Sequence, residues 1–121
     1  MEMFLKQSHL SNNKISMEAK DVLPEKWRQD PSYPVKVIYD DGDYSLIWGK
    51  FDGEKALGAR WNGSVNSGFP SQGSHPTWYA EPDFIAIAIL NHLHVIALNT
   101  QDNEYLDNIR FAINEISSKL G

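Results

Sequence analysis

The chain has 121 residues, enough for one domain with a single core. It carries 11 Lys and Arg against 16 Asp and Glu, a formal charge of −5, and no cysteine, which excludes disulfides, thiolate catalysis and cysteine-based zinc sites. No Lys or Arg lies between Arg60 and Arg110, so a surface built from that interval lacks the cations that displace counterions from nucleic-acid phosphates.

Residues 1–34 read as an N-terminal arm. Its opening, M-E-M-F-L-K-Q-S-H-L, lacks the basic-then-apolar order of a secretory signal. Ser16 is placed to cap a short helix from Met17 to Leu23, with Glu18 near its positive end. Pro24 can start a second turn carrying Glu25, Lys26, Trp27 and Arg28, and Trp27 is expected to pack the arm onto the body. Pro31 and Pro34 close the region, because each disfavours helix at the residue before it.

From Val35 the pattern becomes that of strands. V-K-V-I-Y-D precedes Asp41-Gly42, D-Y-S-L-I-W-G-K-F precedes Asp52-Gly53, and E-K-A-L-G-A-R-W follows. Asp-Gly between β-branched and aromatic runs is a hairpin signal, since both residues accept the backbone angles of tight turns. Two in succession predict a three-stranded antiparallel meander. Alternation puts Tyr44, Leu46 and Trp48 on one face of the second strand, and Leu57, Ala59 and Trp61 on one face of the third, with Arg60 opposite.

A stretch from Gly58 to Tyr79 then reads G-A-R-W-N-G-S-V-N-S-G-F-P-S-Q-G-S-H-P-T-W-Y. A Gly, Ser, Asn and Pro run of this length is fixed by local packing in a compact domain and is commonly functional. It includes a long loop over residues 62–76, and T-W-Y-A after it returns the chain to the sheet as a fourth strand. Pro82 and Asp83 resemble the first turn of a helix. Phe84 to Leu98 alternates as a strand would, yet its length and alanines favour helix; interrupted by Asn91, His92 and His94, the run is too short to span a bilayer. Asn91 and His94 are expected on one polar side of an otherwise buried helix. Thr100 is expected to cap a last, amphipathic helix over roughly Asp102 to Leu120, with a stripe of Leu106, Ile109, Ile113, Ile116 and Leu120. The chain thus reads as one α+β domain. Its antiparallel sheet of three or four strands is packed on one face by two C-terminal helices, and the arm covers a sheet edge or a second subunit.

Several constellations bear on chemistry. G-F-P-S-Q-G misses the G-x-S-x-G nucleophile elbow by one residue and lies between antiparallel strands, so Ser71 reads as a turn residue. His75, His92 and His94 can be assembled into a metal site only if the last two share a strand, and no carboxylate completes it. Neither a catalytic residue nor a metal site is assigned, and no cofactor is called for. The acidic turns Asp40, Asp41, Asp43, Asp52 and Glu54 form a solvated edge that can also meet a basic partner. Arg60 and Trp61 with Asn62 are the constellation to follow: Arg60 either forks onto loop carbonyls or acidic neighbours, or anchors a planar or anionic group between Trp61, Trp78 and Tyr79. Gln72 and His75 complete the candidate binding set, and the same aromatic residues serve a protein partner equally well.

I-W-G-K-F, R-W-N-G and G-F-P-S-Q-G-S-H-P-T-W-Y resemble uncharacterised small bacterial proteins carried on mobile gene cassettes of the integron type, over about residues 35–98. In outline, the order of meander, fourth strand and helix, with G-x-x-x-G and Pro before the last strand, is similar to the single-stranded-DNA-binding transcriptional coactivator fold, whose activity the missing Lys and Arg argue against. The expectation is therefore a non-enzymatic cytoplasmic binding protein of inhibitor, immunity or adaptor type, acting on a protein partner. The alternative is a small-ligand module or small enzyme with the loop as its pocket. Four Trp, five Tyr and five Phe with the apolar Phe84 to Leu98 run also make a homodimer expected, since that run has more apolar surface than one face can bury.

Overall fold

A computed structural model describes residues 18–28, 30–63, 68–72, 75–101 and 104–120. The chain forms strands β1 (Lys36–Asp40), β2 (Tyr44–Phe51), β3 (Glu54–Trp61), β4 (Ser71–Gln72), β5 (His75–Pro76) and β6 (Tyr79–Glu81), then helices α1 (Asp83–Thr100) and α2 (Leu106–Leu120). The main sheet is antiparallel and four-stranded in the order β1-β2-β3-β6, and β4 and β5 make a separate two-stranded ribbon. This is the expected α+β architecture. Both Asp-Gly hairpins form: Gly42 and Gly53 have φ of 94° and 90°, and Asp52 also sits at 53°.

The sheet is buried on both faces. Leu46, Trp48, Leu57 and Ala59 face the helices, where they meet Ala86, Leu90 and Ala97 of α1 and Ile109, Ala112 and Ile116 of α2. In β1 the register shifts between Val37 and Tyr39, so Ile38 and Tyr39 both join this layer while Val37 turns away. The far face carries Ile47 and Ala56, and it is covered by Ala19, Val22 and Trp27 of the arm and by Trp78 of the returning loop. The arm thus lies on the far face of its own sheet. Trp27 is 1% exposed and meets Phe51 at 5.3 Å between ring centroids, and the Trp78 indole donates to the Val22 carbonyl.

Three boundaries differ from the expected ones. Ser16 and Met17 lie outside the described residues, and the described part of the arm has a 3-10 turn at Ala19–Asp21 and another at Glu25–Trp27. A single turn suffices because Ala19 and Val22 already reach the sheet and Pro24 is extended. Thr100 ends α1 instead of capping α2: its hydroxyl donates to the Ile96 carbonyl at 2.7 Å, and Gln101 turns left-handed at φ 61°. Asp102 lies outside the described residues, and α2 runs from Leu106, four residues beyond the expected start.

α1 is a helix, as its start signal favours, because Pro82 offers its carbonyl to the Ile85 and Ala86 amides. It is not otherwise buried. Phe84, Val95 and Leu98 are 74%, 52% and 51% exposed, and Asn91 and His92 are exposed too.

Gly58 is where the arm meets the sheet. A Cβ there would lie 2.9 Å from Trp27 Cη2 and 3.0 Å from Ile47 Cγ1, closer than packed carbons tolerate. Gly58→Ala is expected to destabilise the fold by about 1–3 kcal/mol through this overpacking, read as a lowered urea midpoint; an unchanged midpoint would show that the arm yields freely.

Candidate functional site

The residues singled out from sequence separate into a buried set and an exposed set. Arg60 and Asn62 are each 1% exposed and Trp78 is 3%, while Trp61 and Tyr79 are 56% and 57%. Alternation along β3 explains the division, since Arg60 points to the arm side and Trp61 to the helix side. His75 is exposed on β5, opposite Gln72 of β4, whose side chain is outside the described residues.

Arg60 holds the loop. Its Nη1 donates to the Thr77 carbonyl at 2.6 Å and the Pro70 carbonyl at 3.2 Å, and its guanidinium carbon lies 5.9 Å from the Trp78 ring centroid. Burial pushes its pKa below the ordinary arginine value. Of the two roles open to Arg60 in the sequence, the fork onto loop carbonyls is the one the structure contains; the guanidinium does not stand exposed between aromatic walls. Asn62 is a second tie. Its Oδ1 accepts from the Ser45 hydroxyl at 2.8 Å, its Nδ2 donates to Asp40 Oδ1 at 3.3 Å, and its amide donates to the Asp43 carbonyl at 2.7 Å. It fastens the end of β3 to the β1–β2 turn.

The loop closes against the tip of β3 by an isolated bridge between Trp61 and Phe69, with amide-to-carbonyl distances of 2.6 and 2.9 Å. Gly68 enters this bridge at φ 77°, and any Cβ there would strike the Trp61 carbonyl and the Arg60 guanidinium. Phe69 is left 67% exposed beside Trp61. The hairpin register sets Tyr44 opposite Trp61, and their rings meet edge-on at 4.6 Å and 62°. Tyr79 stands opposite Ala59 on the same face. Tyr44, Trp61, Phe69 and Tyr79 therefore form one aromatic surface, around a cleft of about 120 Å³ that Ala59, Arg60, Pro70 and Glu81 also line.

This surface has an acidic rim. Asp40, Asp41 and Asp43 belong to the turn that Asn62 grips, and Asp41 caps its own turn by accepting the Asp43 and Tyr44 amides at 2.9 and 2.8 Å. Burial first, and then the charge of Glu81, pushes the Tyr44 phenol pKa up. Phe69 and Tyr44 were not in the sequence-derived set. The signal for Tyr44 was present in the two Asp-Gly turns, which fix its pairing with Trp61; for Phe69 it was absent, because a loop residue's exposure depends on where the loop lands.

A second cleft, of about 310 Å³, lies at the opposite end of β2 and β3 beside α2 and is lined by Lys50, Glu54, Lys55, Ser118 and Lys119. Its lysines are each paired: Lys50 with Asp30 at 2.9 Å, Lys55 with Glu115 at 2.9 Å, Lys119 with Asp83 at 3.1 Å. The Tyr33 hydroxyl donates to Glu115 at 2.6 Å and accepts from the Trp48 indole at 2.9 Å. This charge-balanced network joins α2 to the sheet. Among the described residues no group of three His, Cys, Asp or Glu side chains is placed to hold a metal ion. His94 Nε2 accepts from Arg110 Nε at 3.3 Å.

Neither the family models, the curated proteins nor the solved structures compared with this chain include a match.

Arg60→Met removes the donor from two carbonyls beneath the loop and is expected to cost about 1–3 kcal/mol per group left unsatisfied, measured by chemical denaturation. A variant as stable as the parent would mean that the guanidinium serves something other than the loop. Glu115 supplies a pH test. The Tyr33 hydroxyl first, and then Lys55, hold its carboxyl below the ordinary range, so it stabilises the fold above the unfolded pKa, about 4.3, and that contribution is lost as pH falls through the depressed folded value. Glu115→Gln is expected to flatten the decline of the melting temperature between about pH 5 and 3; an unaltered slope would assign the acid sensitivity to other carboxylates.

Proposed function

We propose that this is a non-enzymatic binding protein that takes a basic protein segment on the aromatic surface of Tyr44, Trp61, Phe69 and Tyr79. The observation that carries the reading is the exposure of three large rings together: Trp61, Phe69 and Tyr79 are each more than half exposed in a chain whose other tryptophans, Trp27, Trp48 and Trp78, are buried. Aromatic residues in contact with water at one site are the usual anchors of protein interfaces. Rigid ties hold them in place, since Arg60, Asn62 and the Trp61–Phe69 bridge fix the loop before any partner arrives, which lowers the ordering cost of binding.

Charge selects the partner. Glu81 lines the cleft, Asp41 and Asp43 lie in the turn that leads into Tyr44, and the sequence supplies no Lys or Arg from position 61 to 109. A segment with Arg or Lys beside apolar side chains meets both demands, its cations stacking on Trp61 or pairing with the rim. The small-ligand reading gains less from this geometry, because a cleft of about 120 Å³ is below the ~300 Å³ at which ligand pockets begin. The cassette-type sequence resemblance fits a bacterial setting, and the small acidic chain with its exposed aromatic residues fits a role of inhibitor, immunity or adaptor type.

Peptide display against the immobilised protein is the test, with binding then read in solution by the fluorescence of Trp61. Selected peptides are expected to be rich in Arg, Lys and aromatic residues. Trp61→Ala and Tyr79→Ala should each weaken them by roughly 30-fold, the effect of an interface anchor, and Glu81→Gln should reduce both affinity and its salt dependence. Peptides that bind these variants as they bind the parent would overturn the proposal.

A further inference from the structure

The outer face of α1 is an independent surface, on the helix layer. At 100° per residue, Ala86, Leu90 and Ala97 point into the core, and Phe84, Ile85, Ala88, His92, Val95 and Asn99 occupy the opposite arc. Ile85 and Ile96 are 37% and 40% exposed, and with Phe84, Val95 and Leu98 they leave on the order of 400 Å² of apolar area in water, within the range of the largest patch on a monomer. From Phe84 to Thr100 the sequence contains no Asp, Glu, Lys or Arg.

We infer that this face pairs with the same face of a second copy, antiparallel, about a twofold axis passing between Asn91 and His92. Those two residues are the midpoint of the 18-residue helix, and the exposed side chains are complementary about it. Ala88 of one chain falls opposite Val95 of the other, and Phe84 falls opposite Asn99, so small meets large along the seam. A parallel pairing would set Phe84 against Phe84 and Ala88 against Ala88, a collision next to a gap. At the axis the His92 rings of the two copies meet, with Asn91 on the flank of the seam, so the polar groups in its middle face polar groups of the second copy. Lys119 pairs with Asp83, which brings Leu120, 52% exposed, to the Phe84 end of the seam. The ~400 Å² of apolar surface on this face is about half of the ~800 Å² per partner of a standard specific interface, the size of a weak dimer.

A second copy fits this face better than a membrane does. By length and composition α1 passes as a candidate span, but its inner face is committed to the core, and its outer face has the polar centre of Asn91 and His92 and lacks the Lys and Arg by which surface helices hold anionic lipid. This face is separate from the aromatic surface at the tip of β3, so either role can fail alone.

Sedimentation of the full chain at tens of micromolar is expected to give twice the 13.8 kDa chain mass, and Ala88→Glu is expected to give the monomer with an unchanged circular dichroism spectrum. A cysteine scan then tests the axis, since the chain has no cysteine of its own. Under mild oxidation His92→Cys should cross-link with itself to a covalent dimer, and Phe84→Cys should not. A monomeric parent protein, a dimer that survives Ala88→Glu, or self-linking at position 84 in place of 92 would overturn the proposal.

Discussion

A four-stranded sheet with apolar side chains on both faces needs two covers, and most of this molecule is arranged around supplying them. The helices provide one in the ordinary way of an α+β domain. The other is assembled from short pieces: two 3-10 turns of the arm and the far end of a loop, joined where the Trp78 indole donates to the Val22 carbonyl. Neither piece has enough apolar surface to stand alone. They are held because Trp27 and Trp78 each bury a large ring against Ile47 and Ala56, and because Gly58 leaves room for the Trp27 ring to lie on the strand.

The same constraint accounts for Arg60. A loop that crosses a sheet face brings its own carbonyls with it, and those must find donors away from water. The Arg60 Nη1 does this by donating to both the Pro70 and Thr77 carbonyls, its two hydrogens held in the guanidinium plane. Asn62 plays the same part at the strand's end, bonding to Ser45 and Asp40. The polar residues that draw the eye as ligand contacts are the fasteners of the loop, and the chemistry left facing water is almost wholly aromatic.

What the covers fail to reach is as informative. Tyr44 packs against the helix-side core but its partner Trp61 stays exposed, and Phe69 is set beside Trp61 by the bridge without being buried. On the helix layer, α1 exposes Phe84, Val95 and Leu98 and has no charged residue from Phe84 to Thr100, in contrast with α2, whose polar outer face is what an ordinary surface helix shows. Two surfaces thus stay open, one aromatic at the end of the sheet and one uncharged on the outer face of α1.

Much of this was legible in the chain. The Asp-Gly pairs fixed the hairpins because few residues accept positive φ, and the alternation between them assigned Leu46, Trp48, Leu57 and Ala59 to one face and Arg60 to the other before any contact was known. Pro82 and Asp83 marked the start of α1, and the stripe of α2 marked its buried side. Alternation says which way a side chain points and is silent on what arrives to cover it. Whether Arg60 stands in water or under a loop, whether Phe69 is core or surface, and how little of an apolar helix is buried are set by contacts between residues far apart in sequence. Local sequence determined the elements and their faces; the tertiary structure decided which of those faces remained open.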